Sequence, residues 1–251
     1  MDQNQLNDLL SSLYNRRLSV EDAITKLKDL PFQDLGFAKV DHHRAIRKGY
    51  PEVIFCQSKS PAQVVAIVKA QASHGETVFG TRADTKVLEV VCGEFKGIET
   101  DEQARCFWLK SQSWTPRRKV RGTIAICSAG TADSPVSLEA QRTLEILGHP
   151  CKVLYDVGVS GIHRLFAHHE QLLQSSVVIA VAGMEGALPS VIAGYVSCPV
   201  IGVPTSVGYG SHMNGLVPLF AMLNSCASGL TVVNIDNGFG AACAAAAINE
   251  P

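Results

Sequence analysis

The sequence predicts an α/β protein whose larger part is a doubly wound parallel sheet. The 251 residues are 46 % hydrophobic and 18 % charged, which is typical of a folded domain with a large buried core and not of a disordered chain. From Gly122 onwards, short apolar runs alternate with helical segments, the pattern of parallel strands covered on both faces by crossover helices. A small N-terminal α/β region precedes this sheet.

The first 121 residues predict a helical segment followed by a small α/β unit. Two short helices fit residues 1–30, the second capped by Ser19. An amphipathic helix begins at Ser60 and Pro61, and a strand follows at 77–81. The valine-rich run 87–91 also has the composition of a strand. We therefore predict two domains, residues 1–121 and 122–251.

The sequence pattern of the second domain predicts five strands joined by crossover helices. The expected strands are 123–127, 152–157, 177–182, 200–203 and 231–235, and the expected helices are 135–147, 161–173, 187–196, 214–225 and 239–248. Ligands of such sheets bind beyond the carboxyl ends of the strands, at the point where the strand order reverses. The loops that follow these strands are therefore the candidate site.

The first of these loops is rich in small and hydroxylated residues. It reads CSAGTADSPVSLEA over residues 127–140, with Ser134 as a candidate helix cap and Pro135 at the first helical position. Exposed backbone N–H groups and a helix N-terminus suit a phosphate. The loop matches neither the dinucleotide-binding glycine motif nor a P-loop, so an ordinary strand-to-helix turn is an equal alternative.

The later loops carry isolated ionisable side chains. His163 and Arg164 stand at the start of a helix after the second strand, where a lone histidine is more often structural than catalytic. Glu185 follows the third strand among glycines, either as a solvated charge or as a general acid or base. The loop 199–210 after the fourth strand either closes over a ligand or is a surface loop.

The eight cysteines are scattered, with no pair spaced for a zinc or redox motif, so we expect neither a disulfide framework nor a metal site. The net charge of −1 excludes a general attraction to nucleic acid or an anionic membrane. The polar N-terminus and short apolar runs lead us to expect a cytoplasmic protein with reduced thiols, most of them in the core. Cys226 lies instead in a polar turn, where a thiol is either inert or a nucleophile.

Several of these segments resemble known families. GTADSPV, IHR, GALP and PVIGVPTS follow the order and spacing of the AIR carboxylase fold, and this resemblance covers about 122–248. A resemblance over nearly the whole chain is to the LarB family, carried by LGFAKVDHHRAIRKGYPEVIF and by LNSCASG with VNIDNGFGA. Both resemblances imply a flavodoxin-like sheet in the C-terminal domain.

The LarB resemblance implies a reaction and a set of site residues. Enzymes of this family carboxylate the pyridinium ring of nicotinic acid adenine dinucleotide and hydrolyse its phosphoanhydride, which releases AMP and supplies nickel-pincer cofactor synthesis. It implies Cys226 as the nucleophile, with Glu185 and His163 as acid and base. The implied substrate-binding residues are Ser128, Gly130, Thr131, Asp133, Arg164, Gly183, Gly208 and Gly210, together with Asp41, His43 and Arg44 of the N-terminal signature, whose roles stay unassigned.

The implied ligands are few. Carbon dioxide or bicarbonate is the co-substrate, NAD is a potential analogue of the dinucleotide, and no cofactor is expected to be tightly bound. Mg²⁺ on the phosphates is compatible chemistry, although no acidic cluster requires it. We expect no nucleic acid or membrane partner.

The chain order predicts that the site is shared between subunits. Cys226 follows a helix and precedes a strand, whereas Thr131, His163 and Glu185 follow strands, so they lie at opposite edges of one sheet, roughly 15–20 Å apart. We therefore expect a homo-oligomer, which the resemblance implies is an octamer with shared active sites.

Two alternatives remain. One is an AIR carboxylase or mutase of purine synthesis, although its substrate is already an electron-rich enamine and needs no thiolate. The other is a non-catalytic nucleotide-binding regulator with the same fold.

Overall fold

The structure, a computed structural model, describes residues 3–27, 32–116 and 119–251. The chain divides into two compact units, Met1–Trp114 and Thr115–Pro251, so the division lies before the boundary predicted after residue 121. The predicted end of the second helix near residue 30 lies outside the described residues. No helix in the described ranges is long and apolar enough to cross a bilayer.

Within its described residues, the N-terminal unit contains five helices, a two-stranded antiparallel ribbon and a four-stranded mixed sheet of order β3-β4-β6-β5. Its helices are α1 (Gln3–Tyr14), α2 (Val20–Leu27), α3 (Arg44–Lys48), α4 (Pro61–Ser73) and α5 (Thr85–Glu94). Its strands are β1 (Gln33–Asp34), β2 (Lys39–Val40), β3 (Ile54–Phe55), β4 (Val78–Thr81), β5 (Glu99–Asp101) and β6 (Cys106–Leu109). Helix α4 connects the parallel strands β3 and β4.

Local sequence signals explain how two of these helices begin. Ser19 Oγ accepts a hydrogen bond from Asp22 N at 3.0 Å, which confirms the predicted cap of α2. Ser60 Oγ accepts from Gln63 N, and the Gln63 side chain accepts from Ser60 N, so α4 starts with a capping box. The predicted helix start at Ser60 and Pro61 is thereby confirmed, and Val64, Ile67 and Val68 of α4 are buried.

The prediction of a strand at 87–91 is wrong, because these residues belong to α5. Asp84 Oδ1 accepts a hydrogen bond from Val87 N at 2.8 Å and caps the helix. Val87, Leu88 and Val91 are buried on one helical face in the core of the N-terminal unit. Packing of this face outweighs the modest preference of valine for strands.

The C-terminal unit is a five-stranded parallel sheet of order β11-β10-β9-β7-β8, which confirms the doubly wound, flavodoxin-like prediction. Its strands are β7 (Ile124–Ser128), β8 (Cys151–Leu154), β9 (Val177–Ala182), β10 (Val200–Pro204) and β11 (Leu230–Val232). Its helices are α6 (Ser134–Leu147), α7 (Ile162–Phe166), α8 (His169–Leu173), α9 (Leu188–Ala193), α10 (Leu216–Leu223) and α11 (Gly238–Asn249).

Several details of this unit differ from prediction. Strands β8 and β11 end at Leu154 and Val232, before the predicted ends at residues 157 and 235. The helix predicted over 161–173 is broken into α7 and α8. Ser134 is not a cap but the first residue of α6, because the chain enters that helix through a 3-10 turn over Thr131–Asp133.

Both faces of the sheet are covered. Ala125 and Cys127 of β7 belong to a core cluster with Leu165, Ile192 and Met222, which come from α7, α9 and α10. Helices α6 and α11 pack against each other and against the sheet, where α11 presents small buried alanines. Burial on both sides explains why the strands are continuous apolar runs.

Candidate active site

A cleft of about 540 Å³ lies at the carboxyl edge of the C-terminal sheet. It is lined by the loops that follow β7, β8 and β9, together with Val207 and Tyr209 after β10. The chain adds β8 on one side of β7 and β9 on the other, so the cleft is at the point where the strand order reverses. Parallel sheets bind ligands at this position.

Five of the predicted site residues line this cleft: Gly130, Thr131, Asp133, Gly183 and Glu185. Thr131 and Glu185 are exposed, and Asp133 is buried. The structure adds lining residues that the sequence argument did not single out, among them Asp156, Ser160, Met184 and Tyr209. Asp156 and Ser160 follow β8, so the principle that ligands bind beyond the carboxyl ends of parallel strands applies to them as well.

Asp133 forms the buried floor of the cleft. Its Oδ2 accepts a hydrogen bond from Gly130 N at 2.9 Å, and its Oδ1 accepts from Thr205 Oγ1 at 2.6 Å. Burial raises the pKa of Asp133, while the bonds from Thr205 and from the backbone of Gly130 and Gly183 oppose that rise. Because a buried carboxylate repels a phosphate, a substrate-binding role of Asp133 fits a ribose hydroxyl better than a phosphate oxygen.

Gly183 allows the loops after β9 and β10 to meet. A Cβ at this position would lie 2.2 Å from Val207 O and 2.6 Å from Thr205 Oγ1, so a side chain does not fit. The next residue, Met184, has a φ of 50° and donates from its backbone N to Val207 O at 3.0 Å. The absence of a side chain at this position therefore permits the close approach of the two loops.

Several predicted residues lie beside the cleft without lining it. Ser128 is buried at the end of β7, where its Oγ donates to Gly130 O at 3.1 Å. Arg164 forms an ion pair with Asp156, whose carboxylate belongs to the cleft lining. Arg164 thus positions a cleft residue, whereas His163 is exposed on α7 outside the lining.

The two predicted glycines after β10 have different structural reasons. At Gly208, a Cβ would lie 2.4 Å from the His212 ring, so the glycine makes room for a buried histidine. Gly210 has a φ of 65° with open space around it, so it serves the turn. Their part in ligand binding stays a prediction.

Cys226 lies in the exposed turn between α10 and β11, and it does not line the cleft. Strand β11 begins at Leu230, which pairs with Val200 at the start of β10, so the turn is at the amino edge of the sheet. Ser190 Oγ donates to Ser225 Oγ at 2.8 Å and fixes the residue before the cysteine. Within one chain, the sheet therefore separates Cys226 from Glu185.

The other cysteines differ in their exposure. Burial raises the pKa of Cys56, Cys127 and Cys151 to about 12, so these thiols stay protonated near neutral pH. Cys92 is exposed on α5, and Cys151, Cys198 and Cys243 are partly exposed, so fewer thiols than expected are fully buried in the core. All eight are free.

Asp41, His43 and Arg44 belong to the N-terminal unit. Asp41 forms an ion pair with Arg47 at 2.7 Å, and His43 Nδ1 lies 3.3 Å from Arg47 Nη1. The Arg44 guanidinium lies 5.6 Å from the centre of the Tyr50 ring. Its Nε is buried and has no hydrogen-bond partner in the described part of the chain.

His42 is a buried polar residue of this signature segment that was not predicted as a site residue. It is 1 % exposed, its Nδ1 lies 2.9 Å from Glu76 Oε1, and its ring stacks on that of His74 with centroids 3.8 Å apart. The histidine therefore ties the signature segment to α4 and the start of β4.

No three His, Cys, Asp or Glu side chains within residues 3–27, 32–116 and 119–251 are grouped so that they could hold a metal ion. We therefore assign no ligands to Mg²⁺.

A doubly wound sheet with a cleft at its switch point defines a ligand-binding α/β protein of the nucleotide-binding type. Family models give a finer assignment: residues 32–112 match the LarB/PurE-like N-terminal domain, and residues 123–250 match AIR carboxylase. The chain belongs to the LarB family, with a C-terminal AIR carboxylase domain, and hence to a carboxylase-type family of enzymes.

Three relatives illustrate the two parts. An uncharacterized protein of Methanocaldococcus jannaschii is 38 % identical over 244 residues, which cover 94 % of this chain and 93 % of that protein. An N5-carboxyaminoimidazole ribonucleotide mutase of Pyrococcus horikoshii is 32 % identical over 47 % of this chain and 67 % of the mutase. The corresponding mutase of Thermotoga maritima is 30 % identical, and the match covers 40 % of this chain and 58 % of that mutase.

Proposed function

We propose that this protein carboxylates the pyridinium ring of nicotinic acid adenine dinucleotide and hydrolyses the phosphoanhydride. The products are AMP and pyridinium-3,5-biscarboxylic acid mononucleotide, a precursor for nickel-pincer cofactor synthesis. Family membership over both units supports the proposal. The observation that carries it is the exposed thiol of Cys226, held in an ordered turn away from the apolar core.

The chemistry explains why a thiol is needed. A pyridinium ring is electron-poor and cannot attack carbon dioxide. Addition of the Cys226 thiolate at the carbon opposite nitrogen breaks aromaticity and leaves an enamine, whose neighbouring carbon then bonds to carbon dioxide. A base takes the proton from that carbon, the C–S bond breaks, and the electron pair leaves with sulfur, so the pyridinium is restored.

Cleft residues supply the remaining roles. Glu185 is the proposed base, because it is an exposed carboxylate in the cleft lining, with His163 as the second candidate. In this proposal, the neutral hydroxyl of Thr131 binds a phosphate of the substrate, and the carboxylate of Asp133 accepts a hydrogen bond from a ribose hydroxyl. Water is the second substrate of the hydrolytic step, in which one P–O bond breaks and one forms.

The reaction needs two copies of the chain, because Cys226 and Glu185 lie at opposite edges of one sheet. We propose a homo-oligomer, an octamer by resemblance, in which Cys226 of one subunit meets the cleft of another. The exposed apolar side chains Leu216, Phe220 and Leu223 follow helical spacing along α10, just before the Cys226 turn, and supply a surface for such a contact. Mixing Cys226→Ser with Glu185→Ala subunits should then restore turnover, and inactivity of a verified mixed oligomer would contradict this arrangement.

The direct test is incubation with nicotinic acid adenine dinucleotide and labelled bicarbonate. We expect label in a pyridinium mononucleotide and release of AMP, both lost in Cys226→Ser. Cys92→Ser removes the other exposed thiol and should keep both activities. Intact mass measurement should show an adduct on Cys226 with the dinucleotide or with NAD as its analogue.

The similarity to N5-carboxyaminoimidazole ribonucleotide mutases favours one alternative activity. A mutase of that type would convert N5-carboxyaminoimidazole ribonucleotide when that compound is supplied, would leave nicotinic acid adenine dinucleotide unchanged, and would be unaffected by Cys226→Ser. A non-catalytic regulator would bind the dinucleotide without turnover. The three outcomes are mutually distinguishable.

A further inference from the structure

The turn between β11 and α11 contacts the loop that follows β10. Asp236 lies in this turn, within the segment VNIDNGFGA, and is outside the cleft lining. Strands β10 and β11 are parallel neighbours, so the segments that leave their carboxyl ends lie at the same edge of the sheet. The loop after β10 contributes Val207 and Tyr209 to the cleft. Asp236 is therefore one segment removed from the candidate active site.

Two hydrogen bonds join Asp236 to the loop after β10. Its backbone N donates to Pro204 O at 2.9 Å, and its Oδ1 accepts from Ser206 N at 2.7 Å. The φ angle of Asp236 is 56°, in the left-handed region that asparagine and aspartate adopt more readily than other residues with a side chain. A single residue thus holds the backbone on both sides of Thr205.

Thr205 is also held by the floor of the cleft. Its N donates to Ala182 O at 3.1 Å, and its Oγ1 donates to Asp133 Oδ1 at 2.6 Å. Burial is the main cause of the raised pKa of Asp133, and the negative charge of Asp236 adds to it. The loop after β10 therefore begins between two carboxylates, each of which accepts a hydrogen bond from it.

The same loop is bonded to the turn that carries Glu185. Val207 O accepts a hydrogen bond from Met184 N at 3.0 Å, and Gly186 N donates to Gly183 O at 2.9 Å across the turn. Met184 and Gly186 have φ angles of 50° and 68°, so Glu185 lies between two left-handed residues. The backbone that directs the Glu185 side chain into the cleft therefore depends on where the loop places Val207 O.

We propose that Asp236 is a positioning residue for Glu185 and acts through residues 205–207. Its carboxylate fixes Ser206, and the next residue of the loop holds the amide that precedes Glu185. The inference rests on the proposed function, in which Glu185 takes a proton from the substrate ring. Displacement of such a base by about 1 Å lowers the rate, because proton transfer requires hydrogen-bond distance. Asp236 supplies an acceptor atom for this role, so an amide oxygen should replace its carboxylate.

Three variants of the full chain test the role in turnover of nicotinic acid adenine dinucleotide with bicarbonate. Asp236→Gly removes the acceptor and tolerates the left-handed backbone, so kcat should fall at least about tenfold while KM changes less than about twofold. Asp236→Asn keeps an oxygen acceptor and the same backbone tolerance, so it should retain the wild-type kcat. Asn234→Ala is the matched control, because Asn234 Oδ1 accepts from Ile235 N at 2.9 Å within the same turn, and it should behave as the wild type does.

Hydrogen exchange followed by mass spectrometry measures the positioning without any substrate. The amide of Met184 is bonded to Val207 O, and its exchange reports whether the two loops stay together. We expect faster exchange over residues 183–186 and 205–208 in Asp236→Gly. Asp236→Asn and Asn234→Ala should exchange there at the wild-type rate.

Three results would overturn the inference: unchanged exchange over 183–186 in Asp236→Gly, a loss in that variant confined to KM, or an equal loss of kcat in Asp236→Asn. The last result would show that the charge of Asp236 matters and not its acceptor atom. A wild-type chain that neither incorporates label nor releases AMP contradicts the proposed function instead. The exchange rates then still decide whether Asp236 holds the Glu185 turn.

Discussion

Replacement of Thr205 by valine removes one hydrogen bond from the buried floor of the cleft and preserves side-chain volume. Thr205 is fully buried, and its Oγ1 donates to Asp133 Oδ1 at 2.6 Å. A hydrogen bond to a charged group contributes about 1.5–3 kcal/mol, and the variant leaves one oxygen of a buried carboxylate without this donor. For a chain of this size, each kcal/mol shifts the melting temperature by about 2–4 °C, so we expect a decrease of about 3–12 °C.

The pH dependence of this effect follows from Asp133. Burial raises its pKa in the folded state, so its favourable contribution to stability is present below the unfolded pKa and is lost as pH rises through the folded pKa. The bond from Thr205 lowers that pKa, and its loss raises the pKa further. The free-energy cost of Thr205→Val should therefore be smallest at acidic pH and should grow as pH rises towards neutrality.

Urea unfolding at several pH values and fixed protein concentration measures both quantities. Thr143→Val is the matched control, because its buried hydroxyl donates at 2.7 Å to a neutral carbonyl, Glu139 O, so its cost should not depend on Asp133 ionisation. A cost of Thr205→Val that is below about 0.5 kcal/mol, or that is the same at every pH, would refute the assigned role of Asp133.

Three further predictions concern packing and thiol reactivity. Gly183→Ala should destabilise the C-terminal unit by about 1–3 kcal/mol in thermal unfolding, because the added Cβ clashes with Val207 and Thr205. Gly130→Ala is the control and should not have this steric cost, since its Cβ meets only Asp133 Oδ2 at 3.5 Å. Equal losses of stability in the two variants would contradict the steric explanation. A thiol reagent at pH 8 should modify the exposed Cys226 and Cys92 well before Cys56, Cys127 and Cys151, whose pKa is about 12. Labelling of all five at the same rate would contradict the raised pKa of the last three. Glu76→Ala removes the buried oxygen that lies 2.9 Å from His42 Nδ1 and should cost about 1–3 kcal/mol in urea unfolding, because the buried imidazole loses this hydrogen-bond partner. An unchanged midpoint would show that the pair is dispensable.

The C-terminal sheet could be predicted because its strands are buried on both faces and therefore appear as separate apolar runs. The same reasoning failed at 87–91, where one buried helical face is also rich in valine. Asp84, three residues before Val87, is the capping signal that distinguishes the helix. Strands β5 and β6 were not predicted, because short strands with mixed faces carry little periodicity.

The sheet topology made it possible to predict which loops form the candidate site. Residues after parallel strands converge at one edge, which is why Gly130, Asp133 and Glu185 line one cleft. The bond between Thr205 and Asp133 joins residues 72 positions apart, and nothing in either local sequence indicates that pairing. His42 was missed for the same reason, because its partner Glu76 lies 34 positions further along the chain.

The distribution of thiols and carboxylates bears directly on the proposed chemistry. Cys127 in β7 is the cysteine one residue before the cleft edge of its strand, but burial raises its pKa to about 12, so it is a poor source of thiolate. Cys226 has the exposure that a nucleophile needs, but it lies at the opposite edge from Glu185. In the proposed mechanism, covalent attack on a ring held in the cleft would come from the Cys226 turn of a second subunit, because the order of helix, turn and strand places Cys226 at the edge of the sheet opposite Glu185.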